Sequence, residues 1–189
     1  MFYAITLKRI KIIVLAVIFL CAAGFAAFVF LNLMYPLRNI DVIRQTCAKY
    51  DLDPAFICSV IHAESRFAPD AESKKGASGL MQVTRPTAEW IAAQIGMRDF
   101  DYGNIFQPDV NIEIGCAYVS RLLKQYNGST TLALAAYNAG EGNVAKWLAD
   151  PRYSADGARL SYIPFGETRN YIRKVNENLN VYRLILKFI

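Results

Sequence analysis

The pattern of apolar and polar positions divides the chain near residue 36. From Ile12 to Leu31 no side chain is charged or strongly polar, and the run continues through Asn32 to Tyr35 before Pro36. Residues 12–35 number 24, roughly 36 Å of helix at 1.5 Å per residue, enough to cross a hydrocarbon core of about 30 Å. No polar face relieves the run, which predicts a transmembrane helix rather than a core helix of a soluble domain. A cleaved signal peptide is the rival reading, because Lys8, Arg9 and Lys11 precede the run and small residues stand at Ala22, Ala23 and Gly24. A signal's apolar stretch usually spans about 7 to 15 residues, however, and here hydrophobicity resumes directly after the small residues. An uncleaved anchor fits better. Cys21 follows the bulky Phe19 and Leu20, so it reads as an apolar wall residue and not as a lipid attachment point. The three basic residues hold segment 1–11 on the cytoplasmic side and send residues 36–189 outward.

Beyond Pro36 the apolar spacing becomes helical, broken by polar turns, and no alternating strand pattern stands out. The expected helices are Arg38 to Tyr50, a second opened by Asp53 and Pro54 and running to about Glu64, and a third from near Thr84 to Gly96. Others run from about Asp109 to Tyr126, from Ser129 or Thr130, from Asn143 to Leu148, and from about Glu167 onward. Residues 36–189 thus predict one mainly α domain of about 150 residues, large enough for its own core. Two irregular stretches interrupt it, Ala68 to Gly79 and Asp150 to Glu167, and loops of such length are often functional.

Charge narrows the function classes. The chain carries +5, with 21 Lys plus Arg against 16 Asp plus Glu. Three of the cations precede the apolar run, leaving 18 against all 16 acids, a net of +2 for the rest. That is too little to argue for a nucleic-acid partner. Three cysteines follow the run, Cys47, Cys58 and Cys116. An odd number permits at most one intrachain disulfide, and the lone His62 with no CxxC spacing argues against a zinc site. Buried thiols are the favoured reading, with a Cys47 to Cys116 bridge as the alternative.

Within "VIHAESRF", Val60 to Phe67, the helix opened by Pro54 places Ile57, Val60 and Ile61 on one stripe, and Glu64 continues it. The carboxyl therefore faces inward, in the last turn, where the helix dipole presents negative charge. Both influences disfavour ionisation and predict a raised pKa, the property of a group that donates a proton near neutrality. Taken alone, the stretch equally suits a Glu whose helix ends early and whose side chain reaches water.

Three further stretches decide between these. "GLMQ" spans Gly79 to Gln82, "AAYNAG" Ala135 to Gly140 and "IPFGETRNY" Ile163 to Tyr171. With Glu64-Ser65, in this order and at these separations, they resemble the lytic transglycosylases of peptidoglycan, whose catalytic domain is akin to goose-type lysozyme. The resemblance covers about residues 40 to 180. It implies a lysozyme-like orthogonal helical domain behind the membrane helix, peptidoglycan glycan strands as substrate, and no metal or organic cofactor. It also implies that Glu64 is the catalytic acid and base. Ser73, Met81, Gln82, Tyr137, Asn138, Glu167 and Tyr171 fall on substrate-binding or cleft-lining positions.

The family's reaction needs no second carboxylate, whereas ordinary glycosidases use two. Asp70, Glu72, Glu89, Glu141 and Glu167 do not announce a partner by spacing. A hydrolytic muramidase on the same fold, and a non-catalytic glycan-binding or scaffold protein, are the alternatives. Gly76, Gly79, Gly140 and Gly142 are expected where the backbone turns sharply or approaches a sugar.

Overall fold

The computed structural model describes residues 2–189; Met1 and the side chains of residues 2–8 and 27, Lys8 among them, lie outside the described residues. Two compact units result, the first ending at Leu37 and the second spanning Arg38–Ile189. The first is one helix, α1 (Phe2–Met34), whose side chains from Arg9 onward, where described, are exposed. Its stretch Arg9–Met34, 26 residues, is long and apolar enough to cross a membrane.

The second unit contains α2 (Ile40–Tyr50), α3 (Pro54–Ser65), α4 (Arg85–Gln94), α5 (Pro108–Gln125), α6 (Thr130–Ala139), α7 (Glu141–Ala149) and α8 (Gly166–Leu186). α2 begins two residues later than the apolar pattern suggests, because Asn39 is left-handed and cannot continue a helix. α3 starts as expected: the Asp53 carboxylate accepts from Ala55 N at 2.8 Å and Pro54 occupies the first turn. Ser129 caps α6 by accepting from Leu132 N at 3.3 Å.

Two short features escape a reading by periodicity. Ala77–Ser78 (β1) pairs antiparallel with Val83–Thr84 (β2), and a 3₁₀ turn spans Tyr102–Phe106. Two residues per strand cannot display an alternating pattern. Together the strands pinch the segment Gly79 to Gln82 into a tight loop.

α5 packs against α2, α4 and α6, while α3 packs along α8 and against α2. Ile57, Val60 and Ile61 are fully buried, each contributing about 1.5–3 kcal/mol by leaving water. Near the C-terminal end of α8, Arg183 pairs with Asp53 at 3.1 Å, and His62 Nδ1 and Tyr182 Oη lie 2.9 Å apart. Glu64, at the end of α3, interacts with Tyr171 and Glu167 from the first turns of α8. The loop between α7 and α8 is tied to both helices, with Trp147 of α7 edge-on to Phe165 at 4.9 Å and Arg169 of α8 donating to the carbonyl of Ile163 at 2.5 Å.

Candidate active site

The stripe of α3 delivers Glu64 to the end of the helix, and two unusual backbone positions follow it. Arg66 and Phe67 are both left-handed, with φ of 53° and 63°, conformations that cost non-glycine residues about 1 kcal/mol or more each. Phe67 is fully buried, its ring 6.0 Å from that of Tyr182. That burial drags the chain back over the helix end and fixes where Glu64 stands. Ser65 adds a second restraint: its hydroxyl donates to the Leu80 carbonyl at 2.7 Å, tying α3 to the Gly79–Gln82 loop.

Glu64 as a whole residue is half-buried. Its surroundings are nevertheless apolar enough that burial pushes its pKa up to about 7, with the negative charge of Glu167 adding to the rise and the Tyr171 hydroxyl opposing it. Tyr171 Oη is buried and has no hydrogen-bond partner of ordinary geometry among the described residues. The carboxyl it influences is Glu64. Tyr137 donates its hydroxyl proton to the Met81 carbonyl at 2.7 Å. Burial and the adjacent Glu64 charge hold the Tyr137 and Tyr171 hydroxyls well above their ordinary pKa, so both stay protonated.

Glu64, Tyr137, Tyr171 and Glu167 thus act on one another from α3, α6 and α8. Gln82, Tyr137 and Asn138 line a pocket of about 280 Å³ with Thr87, Tyr118 and Gly140. A larger cavity, about 410 Å³, lies at the other end of α3 and α8 beside Asp53 and Arg183, away from the glutamate. Asn138 accepts a hydrogen bond from Thr168 at 2.8 Å, which anchors α6 to α8. Ser73 is spent on its own loop: its hydroxyl accepts from Ala77 N at 3.0 Å. Glu167 is exposed and pairs with Lys75 at 3.3 Å. Of the other acids, Glu89 pairs with Arg85 and Glu141 with Arg121.

The Met81 side chain is fully buried against Gly115, where even an added Cβ would lie 2.3 Å from the Met81 sulfur. What Met81 offers the site is its backbone carbonyl, the acceptor for Tyr137.

Asn111 is the residue that sequence reasoning passed over. Fully buried on α5, it accepts from Met81 N at 2.7 Å and donates to the carbonyls of Ser78 and Ile105 at 3.0 and 2.8 Å. The Gly79 backbone lies so close that a Cβ there would stand 2.1 Å from Asn111 Nδ2, and its φ is +79°. Gln82, itself left-handed at 49°, closes the loop by donating to the carbonyls of Ala71 and Gly79. A lone amide beside the apolar Ile112 and Ile114 was the available signal.

A helical domain with one desolvated carboxyl flanked by protonated tyrosines is lysozyme-like in architecture. The transglycosylase SLT domain matches residues 41–158, and the chain belongs to that family. A soluble lytic murein transglycosylase of Salmonella typhimurium is 33% identical over 143 residues, 75% of this chain and 22% of that protein. A membrane-bound lytic murein transglycosylase C of Yersinia pestis is 29% identical over 169 residues, 77% of this chain and 47% of that one. The solved structure of an inactive mutant of the lytic transglycosylase Slt from Pseudomonas aeruginosa superposes with a TM-score of 0.74 at 33% identity, covering 83% of this chain and 26% of that one. The chain therefore spans about a fifth to a half of the length of these relatives.

Proposed function

We propose that this protein is a membrane-anchored lytic transglycosylase that cleaves the β-1,4 bond between N-acetylmuramic acid and N-acetylglucosamine in peptidoglycan. The observation that carries the reading is Glu64: one carboxyl raised to about 7, beside two tyrosine hydroxyls that stay protonated. Family membership and the names of the relatives support the same substrate.

In this mechanism Glu64 gives its proton to the glycosidic oxygen as the bond to the muramic acid C1 breaks. The acetamido oxygen of the same sugar stabilises the positive centre, in place of a second carboxylate. Glu64, now a carboxylate, takes the proton of the C6 hydroxyl as that oxygen attacks C1, closing a 1,6-anhydro ring and restoring the acid. Tyr171, whose hydroxyl lacks another partner, donates to the Glu64 carboxylate in the half-reaction where it carries charge. Gln82, Tyr137 and Asn138 wall the sugar pocket, and in this reading Ser73 and Glu167 contact the glycan from the loop before β1 and the start of α8. An intramolecular hydroxyl has an effective molarity of about 10⁵ M or more, against roughly 55 M for water.

Residues 12–35 anchor the chain, 1–11 stay in the cytoplasm, and 36–189 work on the wall side. Support comes from the apolar length of Arg9–Met34 and the membrane-bound relative.

The test is digestion of purified peptidoglycan by the full chain in ¹⁸O-labelled water. Unlabelled 1,6-anhydromuramic ends, lighter by one water than hydrolytic products, are expected. Reducing, ¹⁸O-labelled ends would replace the transglycosylase by a muramidase on the same fold. Absence of both products alongside retained glycan binding would leave a scaffold.

A further inference from the structure

The three cysteines of the second unit are gathered at one place in its core. Cys47 on α2, Cys58 on α3 and Cys116 on α5 are buried, and all are free thiols. Two hydrogen bonds set the register of α2 against α5. The Tyr50 hydroxyl donates to the Glu113 carboxylate at 2.6 Å, and the Ser120 hydroxyl donates to the Tyr50 carbonyl at 3.0 Å. Cys116 follows Glu113 by three residues and precedes Ser120 by four, so it shares the face of α5 that both present to Tyr50. Cys47 stands three residues before Tyr50, one turn back on the opposing face of α2. The Cys47 thiol acts directly on the Cys116 thiol there and raises its pKa. Cys58 influences the pair from α3 through charge alone.

We propose that Cys47 and Cys116 form a disulfide joining α2 to α5 when the domain folds under thiol-oxidising conditions, leaving Cys58 a free thiol. The oxidant is a protein or small-molecule disulfide. One cysteine thiolate attacks a donor sulfur, breaking the donor S–S bond and releasing one donor thiolate. The second cysteine thiolate then attacks the mixed disulfide and releases the other. Two protons leave the cysteines, the pair is oxidised by two electrons, and the donor is reduced by two.

Burial sets the timing. In the closed domain Cys47 and Cys116 are buried and the Cys116 thiol is held well above its ordinary value, so no donor reaches the pair. Exchange therefore precedes the closure of α2 on α5. This inference is independent of the role of Glu64, and the experiment below supplies its own oxidant, so it is also independent of topology.

The test uses the purified full chain, refolded from denaturant into detergent with oxidised and reduced glutathione, then alkylated under denaturing conditions. Trypsin places Cys47, Cys58 and Cys116 on separate peptides, residues 45–49, 50–66 and 99–121. The expected result is a single cross-link between the first and third, with Cys21 and Cys58 alkylated. Closing a loop of about 70 residues lifts the thermal midpoint over that of the reduced protein by on the order of 10 °C. Cys58→Ala keeps the link and the shift. Alkylation of all four cysteines, or a link through Cys58 or Cys21, overturns the proposal.

Discussion

Replacing Glu64 by glutamine removes a group whose ionisation the folded domain opposes. Its pKa rises from an ordinary 4.5 to about 7, chiefly through burial. That gap is about 2.5 units, or about 3 kcal/mol at 1.36 kcal/mol per unit. Because Glu64 is partly exposed, water relaxes some of the penalty and 3 kcal/mol is the ceiling. The sign follows from which state holds the proton. Below about pH 4.5 the carboxyl is neutral in both folded and unfolded chains, and no penalty exists. Between about 4.5 and 7 the unfolded chain loses its proton first, so the folded state loses stability as pH rises. Above about 7 the loss is complete.

Glu64→Gln has no such loss. Relative to wild type it gains up to about 3 kcal/mol between pH 4.5 and 8, or about 6–12 °C in melting temperature for a domain of this size. Melts of the full chain in detergent, followed by tryptophan fluorescence, measure this directly, because Trp90 and Trp147 both lie in the second unit. Parallel pH curves for the two proteins would refute the desolvated carboxyl. The same variant loses about 10² to 10⁴ or more in cleavage rate.

The neighbours of Glu64 predict opposite shifts in the pH–activity profile. Glu167→Gln removes a charge that raises the Glu64 pKa, so the alkaline limb of kcat/KM moves to lower pH. Tyr171→Phe removes a hydroxyl that opposes the rise, so the limb moves to higher pH; shifts of the same sign would contradict the arrangement. Asn111→Ala strands Met81 N and two carbonyls and costs about 3 kcal/mol or more, read as a lower denaturant midpoint. Gly79→Ala combines a positive φ with a collision against Asn111 and costs at least about 2 kcal/mol; unchanged stability would show that the loop can relax.

The parts of this fold legible from residues alone are those set by local spacing. Pro54 and Asp53 open α3 where they should, and Ile57, Val60 and Ile61 carry Glu64 inward by the period of one helix. The company of Glu64 is different. Tyr137 and Tyr171 lie 73 and 107 residues further along, and no periodicity in α6 or α8 says that they meet α3. Only the family resemblance singled them out. At Met81 the resemblance marks a position without saying whether its buried side chain or its carbonyl, the acceptor for Tyr137, serves the site. Asn111 stayed hidden because its three partners are backbone groups, which have no letter in a sequence. The Phe67 turn was equally invisible, because left-handed φ at an aromatic residue is a tertiary outcome with no local signature.

The long separation between α3 and α8 governs when the site comes into being. Glu64 is synthesised about 100 residues before Glu167 and Tyr171, the groups of α8 that act on its carboxyl. A nascent or truncated chain ending before residue 166 has the carboxyl without the charge that raises its pKa and without the hydroxyl that lowers it. The electrostatic surroundings of Glu64 are thus assembled only when α8 docks against α3.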